Sequence, residues 1–315
     1  MHNRADTSIS VLIPAYNAQA TIEATLSSAL NQTQPAAEII VLDDGSKDRT
    51  AEMVAGFGQK VTLHRQQNTG VATARNVLLR LARHDLVAFL DSDDLWHPRY
   101  LEHQRHAVEL HPNAVAYYTG FTSIHSAEEW SPKEEGAPEN TLRLIDPKTI
   151  LRRYQEASAF LLPSFTLFSK RALLDKFADG PFPADISTAE DSYLWYVLAL
   201  SGPFVESAAK LGAYRLTAGS LSSDRVRAYR QRAAALEHLI DVYARFATLD
   251  MQRLAADALA SMYRKYAKHL MGAGDTAGAR RVLKKAWAAQ HAWRTLALLV
   301  STHFPASLQP AWPKI

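Results

Sequence analysis

The sequence predicts an α/β protein in which a mostly parallel sheet is flanked by helices and followed by a C-terminal helical extension. Two observations lead to this prediction. Through the first hundred residues, short apolar runs alternate with amphipathic stretches of helical spacing, which is typical of βαβ units. Beyond Arg225, nearly every stretch has helical periodicity. We therefore expect three regions, 1–110, 111–224 and 225–315, of which the last is helical.

The elements of the first region follow one another in a regular order. Strands are predicted at Ile9–Pro14, Glu38–Leu42, Val61–His64 and Leu86–Leu90, and helices between them at 20–31, 48–57 and 70–83. Parallel α/β sheets bind ligands at the carboxyl ends of their strands. In this sequence those ends carry one amide and five carboxylates, namely Asn17, Asp43, Asp44, Asp91, Asp93 and Asp94. We expect these side chains to meet in one crevice.

The rest of the chain divides into an irregular and a helical part. Ala114–Thr119 is strand-like, and Glu190 and Asp191 lead into an apolar helical pattern. Near the C-terminus, Gly272–Asp275 predicts a turn between two helices.

Charge is distributed unevenly along the chain. Residues 225–315 contain 15 Lys and Arg against 5 Asp and Glu, whereas the whole chain has a formal net charge of only +3. A basic helical region can contact an anionic membrane surface, but a solvated helix face explains the same charge. We expect no nucleic-acid partner and keep a peripheral membrane contact as an open alternative.

The composition excludes several classes of protein. With 47% hydrophobic and 21% charged residues the chain is typical of a globular protein, and the absence of cysteine excludes disulfides and Cys-based metal or redox chemistry. The first residues lack the apolar stretch of a secretory signal, and no window approaches the ~20 apolar residues that span a bilayer. We expect a cytoplasmic protein, with the inner face of the membrane as one place of action.

Two common nucleotide-binding motifs are absent. No G-x-G-x-x-G follows the first strand, and the chain has no G-x-x-x-x-G-K-[ST]. A divalent cation, Mg²⁺ or Mn²⁺, could neutralise the phosphates of a nucleotide instead. Asp91 and Asp93, two residues apart at a strand end, can direct both carboxylates to one such cation. The alternative is that these acids form a solvated turn or cap a helix.

Further candidates flank this pair. Asp43 could accept hydrogen bonds from a nucleobase or ribose, whereas Asp48 could cap the helix that follows it. Arg75 lies on a predicted helix that begins near a strand end, where a guanidinium group suits a phosphate or a base. The alternative for Arg75 is a surface cation or an intrachain ion pair.

Together these segments resemble the family 2 glycosyltransferases, which have the GT-A fold. The match in order and spacing covers Val11–Asn17, Asp43–Asp48, Asn68–Gly70, Ala74–Asn76 and Leu90–Trp96 with Pro98. The resemblance implies a GT-A type sheet whose first half binds a nucleotide-diphosphate sugar, a UDP-sugar first of all, and whose second half binds a glycan or lipid-linked acceptor. It also implies inverting, metal-assisted transfer in the biosynthesis of cell-surface polysaccharide or other glycans.

The resemblance further implies roles for single residues. Asp43 would contact the base, Arg75 the nucleotide, and Asp91 the ribose. Asp93 would bind the metal, with Asp91 as a second candidate ligand. Asp191 would be the general base that takes the proton of the acceptor hydroxyl, although an acid there also suits a helix N-terminus. The other residues expected to bind substrate are Pro14, Ala15, Tyr16, Asn17, Asp44, Gly70, Ser92, Trp96, Glu190, Arg215 and Ser220.

One position departs from the family pattern. Thr217 stands where a His is usual in the segment Tyr214–Ser222, and that His often helps to hold the metal or the diphosphate. A hydroxyl cannot replace an imidazole as a metal ligand. We therefore expect either a weaker metal affinity or a coordination sphere that is completed by water. This departure supports one alternative function, a catalytically degenerate sugar-nucleotide-binding or scaffolding subunit of a glycan-assembly complex. A second alternative, an Asp-nucleophile phosphatase, requires D-x-D after the first strand, not after the fourth.

Overall fold

In the computed structural model, the four strands nearest the N-terminus form the parallel half of a sheet. They are β1 (Ile9–Ala15), β2 (Glu38–Asp43), β3 (Thr62–Arg65) and β4 (Leu86–Phe89), in the spatial order β3-β2-β1-β4. Every residue of β1 and β4 is buried, which explains why both strands are nearly continuous apolar runs. The carboxyl ends of β2, β1 and β4 therefore lie side by side, as the sequence predicts.

Three helices connect these strands. They are α1 (Ile22–Leu30), α2 (Thr50–Ala55) and α3 (Val71–Leu81). Helix α2 is shorter than predicted, because Asp48 lies before it. There the Asp48 carboxylate accepts hydrogen bonds from the amide and the hydroxyl of Thr50 at 3.0 and 2.5 Å.

The second half of the sheet combines parallel and antiparallel pairs. Its strands are β5 (Leu95–Trp96), β6 (Ala116–Ile124), β7 (Leu142–Ile145), β8 (Thr166–Ser169) and β9 (Phe204–Arg215). The sheet continues in the order β4-β8-β6-β9-β5, with β7 also paired to β9. Strand β8 is antiparallel to both neighbours, whereas β6 and β9 are parallel. The helices of this half are α4 (Tyr100–Leu110), α5 (Pro147–Glu156), α6 (Lys170–Leu174) and α7 (Glu190–Ala199).

Strand β9 brings the far side of the sheet to the loop that follows β4. Gly212 of β9 pairs with Trp96 of β5, and a Cβ atom at Gly212 would lie 2.1 Å from the ring of Phe165. Only glycine permits this close approach. β9 therefore passes directly over Phe165 and ends, at Arg215, within hydrogen-bond distance of the loop between β4 and β5.

The predicted C-terminal helical extension is present. It consists of α8 (Arg225–Phe246), α9 (Leu249–Gly272), α10 (Thr276–Ala289) and α11 (Trp293–Ser301). Helices α9, α10 and α11 share an apolar core formed by Ala267, Leu270, Ala279, Leu283 and Leu298. The predicted turn at 272–275 joins α9 to α10, and the side chain of Asp275 accepts a hydrogen bond from the amide of Gly278 at 2.7 Å.

The structure describes residues 7–131, 142–156, 161–177, 180–186, 189–216 and 225–303. The chain divides into two compact units, Met1–Ser187 with Leu194–Ala218 and Thr188–Tyr193 with Gly219–Ile315. The region boundaries at 110 and 224 remain predictions. Over the described ranges, no helix combines the length and the apolar character needed to cross a membrane.

A half-buried histidine predicts a pH dependence of folding stability. Burial, with smaller contributions from His106 and Arg99, lowers the pKa of His103 to about 4, and its Nε2 lies 2.8 Å from Oγ of Ser207. The unfolded chain binds this proton more readily than the folded protein does. The free energy of unfolding should therefore fall as the pH drops from about 6.5 to about 4.

Urea unfolding near pH 7.5 and near pH 5 measures this dependence. His103→Gln should reduce the difference between the two pH values, whereas His125→Gln, at an exposed position, should leave it unchanged. Equal pH dependence in the wild type and in His103→Gln would contradict the prediction.

Candidate active site

The loop between β4 and β5, residues 90–94, is anchored on α1. The hydroxyl of Thr21, just before α1, donates a hydrogen bond to the carbonyl oxygen of Ser92 at 2.8 Å. The hydroxyl of Thr25 lies 3.0 Å from the carbonyl oxygens of both Ser92 and Asp94. These bonds fix the main chain of the loop, which restricts where its three carboxylates can lie.

A buried serine supports the same loop from the second half of the sheet. Ser164 has no exposed surface, and its hydroxyl accepts a hydrogen bond from the amide of Asp91 at 3.1 Å. Its carbonyl oxygen accepts one from the indole N–H of Trp96 at 2.5 Å. Ser164 is not among the site residues predicted from the sequence. The available signal was a serine inside an otherwise apolar stretch, Leu161–Phe165.

Arg75 forms an ion pair with Asp91. A guanidinium nitrogen lies 2.7 Å from Oδ1 of Asp91, and the two side chains are 3% and 33% exposed. The guanidinium carbon also lies 5.4 Å from the centre of the Phe89 ring. The intrachain ion pair considered for Arg75 is therefore what the structure shows. It balances one of the three negative charges of the loop.

Asp93 keeps a charge that the protein does not fully balance. Burial is the largest cause that raises its pKa to about 6, and the neighbouring charge of Asp91 adds to the shift. Arg215 acts in the opposite direction, but its Nε donates to the carbonyl oxygen of Asp93 at 2.8 Å. A ligand that brings positive charge to Asp93 would remove part of this unfavourable free energy.

Asp94 connects the loop to the end of β9. It is 1% exposed, and burial together with the charges of Asp91 and Asp93 raises its pKa well above the usual range. Its Oδ1 accepts a hydrogen bond from the backbone amide of Arg215 at 3.0 Å. Among the described residues, the buried Nη2 of Arg215 has no hydrogen-bond partner. A buried guanidinium nitrogen of this kind suits an anionic oxygen of a ligand.

The first acid after β2 is bound by its own chain. Asp43 is completely buried, and its carboxylate accepts hydrogen bonds from the amide of Ser46 at 3.1 Å and from Nε of Arg65 at 3.0 Å. The side chain of Arg65 is 62% exposed. A base at this position would therefore meet the Arg65 guanidinium as well as Asp43, and the contact between Asp43 and the base remains a prediction.

The second acid after β2 organises the start of α3. Asp44 accepts hydrogen bonds from the amides of Thr69 and Gly70 at 3.0 and 2.9 Å and from the side chain of Gln66 at 2.7 Å. Gly70 has a φ of 88°, a backbone conformation that favours glycine. The acid thereby sets the position of the helix that carries Arg75.

Asn17 joins the loop after β1 to the loop after β2. Its φ of 51° lies in the left-handed region, which Asn adopts more readily than most residues. Its amide donates to the hydroxyl of Ser46 at 2.8 Å, and its side-chain oxygen accepts a hydrogen bond from the amide of Lys47 at 2.9 Å. These bonds hold the loops that follow β1 and β2 together.

The other side chains predicted to contact the substrate differ in how exposed they are. Tyr16 is 46% exposed, whereas Pro14 and Ala15 are buried in β1. Trp96 is 1% exposed and its ring stacks on that of Tyr100, with the ring centres 4.4 Å apart. Trp96 thus packs beneath the acidic loop with almost no accessible surface, and its contact with substrate remains a prediction.

Glu190 and Asp191 form the first turn of α7. Oδ1 of Asp191 accepts a hydrogen bond from the amide of Ser192 at 2.6 Å, and Glu190 is 8% exposed. Acids at this end of a helix are stabilised by the helix dipole. The role of Asp191 as general base remains a prediction, and Ser220 and Thr217 lie outside the described residues.

The donor set fits a cation whose coordination is completed by a ligand. In the part of the chain that the structure describes, no group of three or more His, Cys, Asp or Glu side chains could hold a metal ion. Mg²⁺ commonly binds one or two protein carboxylates together with substrate phosphates and waters. Asp93 is suited to be such a ligand because neighbouring positive charges compensate its negative charge only in part. Asp91 fits it less well because Arg75 already pairs with it.

The comparison with protein families decides which family this fold and site belong to. The family model described as Glycosyl transferase family 2 matches residues 10–176 of the 315 in the chain. The chain belongs to this family. It is therefore a glycosyltransferase, and the family resemblance of its motifs is confirmed.

Two relatives of this glycosyltransferase match most of its length. The first is the UDP-Glc:alpha-D-GlcNAc-diphosphoundecaprenol beta-1,3-glucosyltransferase WfgD of Escherichia coli. The two sequences are 29% identical over 244 residues, and the aligned region covers 74% of this chain and 87% of WfgD. This chain is also 29% identical over 232 residues to the putative teichuronic acid biosynthesis glycosyltransferase TuaG of Bacillus subtilis (strain 168), covering 71% and 84%.

Solved structures share the fold of this glycosyltransferase. Residues 1–349 of TarS from S. aureus, in complex with UDP-GlcNAc, match with a TM-score of 0.67 at 19% identity, over 93% of this chain and 84% of TarS 1–349. The mannosyltransferase PcManGT from Pyrobaculum calidifontis, in complex with GDP-Man and Mn²⁺, matches with a TM-score of 0.52 at 20% identity, over 98% and 88%. The predicted GT-A type fold is thus confirmed.

The unbalanced charge of Asp93 predicts that a conservative substitution stabilises the ligand-free protein. The folded protein binds the Asp93 proton more tightly than the unfolded chain does, so stability falls as the pH rises from about 4 to about 6 and stays lower above that. Asp93→Asn should raise the free energy of unfolding by about 1–3 kcal/mol near pH 8, and by less near pH 4. Thermal unfolding without nucleotide at both pH values measures this.

The control is an acid whose pKa shifts the other way. Hydrogen bonds from Thr50 and Gln19 lower the pKa of Asp48, so Asp48→Asn should reduce stability near pH 8. A decrease in stability of Asp93→Asn at that pH would contradict the assignment for Asp93.

Proposed function

We propose that this glycosyltransferase moves a sugar from a nucleotide-diphosphate sugar to a hydroxyl group of a glycan or lipid-linked acceptor, with inversion, in cell-surface polysaccharide or glycan biosynthesis. The observation that carries the proposal is the charge arrangement on the loop after β4. Two buried guanidinium groups, of Arg75 and Arg215, bind the same loop that presents Asp91 and Asp93. Such a site suits a diphosphate and a cation that accompanies it.

A UDP-sugar is the donor that we expect. WfgD is named for UDP-Glc, and the TarS structure contains UDP-GlcNAc, whereas PcManGT was solved with GDP-Man. Residues around the base must therefore decide which nucleotide this chain accepts. We assign this role to Tyr16, whose exposed ring can stack on a base, and to the pair of Asp43 and Arg65.

The acceptor is proposed to be lipid-linked or part of a growing cell-surface polymer. The name of WfgD includes a diphosphoundecaprenol-linked sugar, and TuaG is named for teichuronic acid biosynthesis. An acceptor of this kind would be met at a membrane, so we propose action in the cytoplasm at its inner face.

Asp191 is proposed to start the reaction by taking the proton of the acceptor hydroxyl. The freed oxygen attacks the anomeric carbon from the side opposite the diphosphate, which inverts the configuration. The position of Asp191 in the first turn of α7, where the helix dipole favours negative charge, suits an ionised base.

Arg75 and Arg215 are proposed to stabilise the diphosphate as it leaves. Both are almost completely buried, and a charge-assisted hydrogen bond is stronger in such surroundings than in water. A divalent cation held by Asp93 would add positive charge at the same diphosphate. The supporting observation for the cation is the raised pKa of Asp93, to about 6.

Thermal unfolding with UDP, GDP and ADP, each with and without Mn²⁺, tests the donor site. A nucleotide at about 100 times its dissociation constant should add ~2.7 kcal/mol of stability. We expect the largest shift with UDP and Mn²⁺, and loss of its metal-dependent part in Asp93→Ala. Asp241→Ala, at an exposed position of α8, is the matched control. No shift with any of the three nucleotides would contradict the proposal.

Asp191→Asn tests the general base. The substitution keeps the size of the side chain but cannot accept the proton, so the rate of sugar transfer should fall by about 10²–10⁴ while the nucleotide-induced shift is retained. Asp241→Asn should transfer at the wild-type rate. An unchanged rate in Asp191→Asn would refute the role of Asp191, and donor binding without turnover in the wild type would favour the scaffolding alternative.

A further inference from the structure

Helix α11 carries apolar residues on two opposite sides. One side, with Thr295 and Leu298, is buried in the helical unit. The other side exposes Trp293, Leu296 and Val300, whose exposed fractions are 75%, 50% and 51%. These three positions are spaced by three and four residues, so they form one continuous surface, the α11 stripe. Single exposed apolar residues are ordinary on protein surfaces, whereas three on one face of a nine-residue helix indicate a contact.

The orientation of α11 is set by basic residues of the neighbouring helices. Arg264 of α9 donates to the hydroxyl of Thr295 at 3.2 Å. Arg280 of α10 donates to the hydroxyl and the carbonyl oxygen of Thr302, at 3.1 and 2.5 Å. These hydrogen bonds, near both ends of the helix, stabilise the orientation in which the α11 stripe is exposed.

Helices α10 and α11 carry only positive formal charge. Residues 276–303, which form α10 and α11, contain five Lys and Arg and no Asp or Glu. Of these, Arg281, Lys284, Lys285 and Arg294 are exposed, and Lys285 pairs with Glu237 of α8 at 2.8 Å. The guanidinium carbon of Arg294 lies 5.8 Å from the centre of the Trp293 ring. An apolar stripe that begins with a tryptophan beside an exposed arginine, in a basic pair of helices, has the chemistry of a helix that lies at a membrane interface.

We propose that the α11 stripe docks on an anionic lipid bilayer. Trp293, Leu296 and Val300 would enter the headgroup region, where an indole ring is favoured, and the basic residues of α10 and α11 would face the lipid charges. A second copy of the chain fits less well, because pairing two such surfaces would bring like charges together. The inference does not depend on the sugar, the nucleotide or the acceptor.

Flotation of the full chain with lipid vesicles tests the proposal. We expect binding to vesicles of phosphatidylcholine with about one third phosphatidylglycerol, and much weaker binding to phosphatidylcholine alone. Salt at about 0.5 M should weaken binding, since it screens charges beyond a few ångströms. No flotation with the anionic vesicles at low salt would overturn the proposal.

Variants then assign the binding to the α11 stripe. Replacement of Trp293, Leu296 and Val300 by Ser should lower the apparent vesicle affinity by at least about tenfold. Leu110→Ser is the matched control, because Leu110 is 53% exposed at the end of α4 in the other unit. Arg281→Gln with Lys284→Gln should lower only the part of the binding that needs anionic lipid. Undiminished flotation of the stripe variant would overturn the proposal.

The thermal midpoint of each variant shows whether it is folded. If the triple variant is unfolded, Trp293→Ser alone is used for the vesicle assay.

Two other possible partners of the α11 stripe would give different results. A wild type that is dimeric by light scattering, with a monomeric stripe variant and no flotation, would assign the stripe to a second copy. Flotation that appears only after the chain is ended at His303 would assign it to residues 304–315. Either result would overturn the bilayer proposal.

Discussion

Three carboxylates within four residues must be accommodated at the end of a buried strand, and the arrangement of the site depends on how their charge is balanced. The three acids differ in the groups that interact with their carboxylates. Asp91 pairs with the buried Arg75, and Asp94 is almost fully buried where the amide of Arg215 donates to it. The charge of Asp94 is nevertheless disfavoured, because burial raises its pKa well above the usual range. Asp93 is only partly compensated by Arg215, and burial raises its pKa to about 6. Two arginines therefore compensate part of the repulsion among the carboxylates, and a positively charged ligand could compensate the rest.

The same interactions connect local charge to the rest of the fold. The Asp94–Arg215 hydrogen bond joins the end of β9 to a residue of the loop that lies 121 positions earlier in the chain, and Ser164 supports that loop from beneath. Thr21 and Thr25 hold its carbonyl oxygens on α1. A sugar nucleotide would thus meet groups that are already oriented, which reduces the reorganisation that accompanies binding. Such a ligand would satisfy two features of the site: the charge of Asp93, and the nitrogen of Arg215 that has no hydrogen-bond partner among the described residues.

The helical unit adds a separate physical argument. Its basic residues orient α11 through Thr295 and Thr302, and Arg294 lies beside Trp293 of the apolar stripe that α11 exposes. Transfer to a lipid-linked acceptor and docking of α11 on a bilayer are independent proposals, and each can fail without the other. If both hold, a positive helical surface would keep the enzyme where its acceptor is found.

The sequence by itself determined the order of the first four strands and three helices, the helical C-terminal region, and the family, because alternating hydrophobic periods and short motifs are local properties. Tertiary structure decided which partners the acids have. The pairing of Asp91 with Arg75, the complete burial of Asp43 beside Arg65, the place of Trp96 beneath the loop and the support from Ser164 all join residues distant in the sequence. No local pattern specifies such contacts, since they depend on how strands align in the sheet and on the close passage of β9 over Phe165 that Gly212 allows.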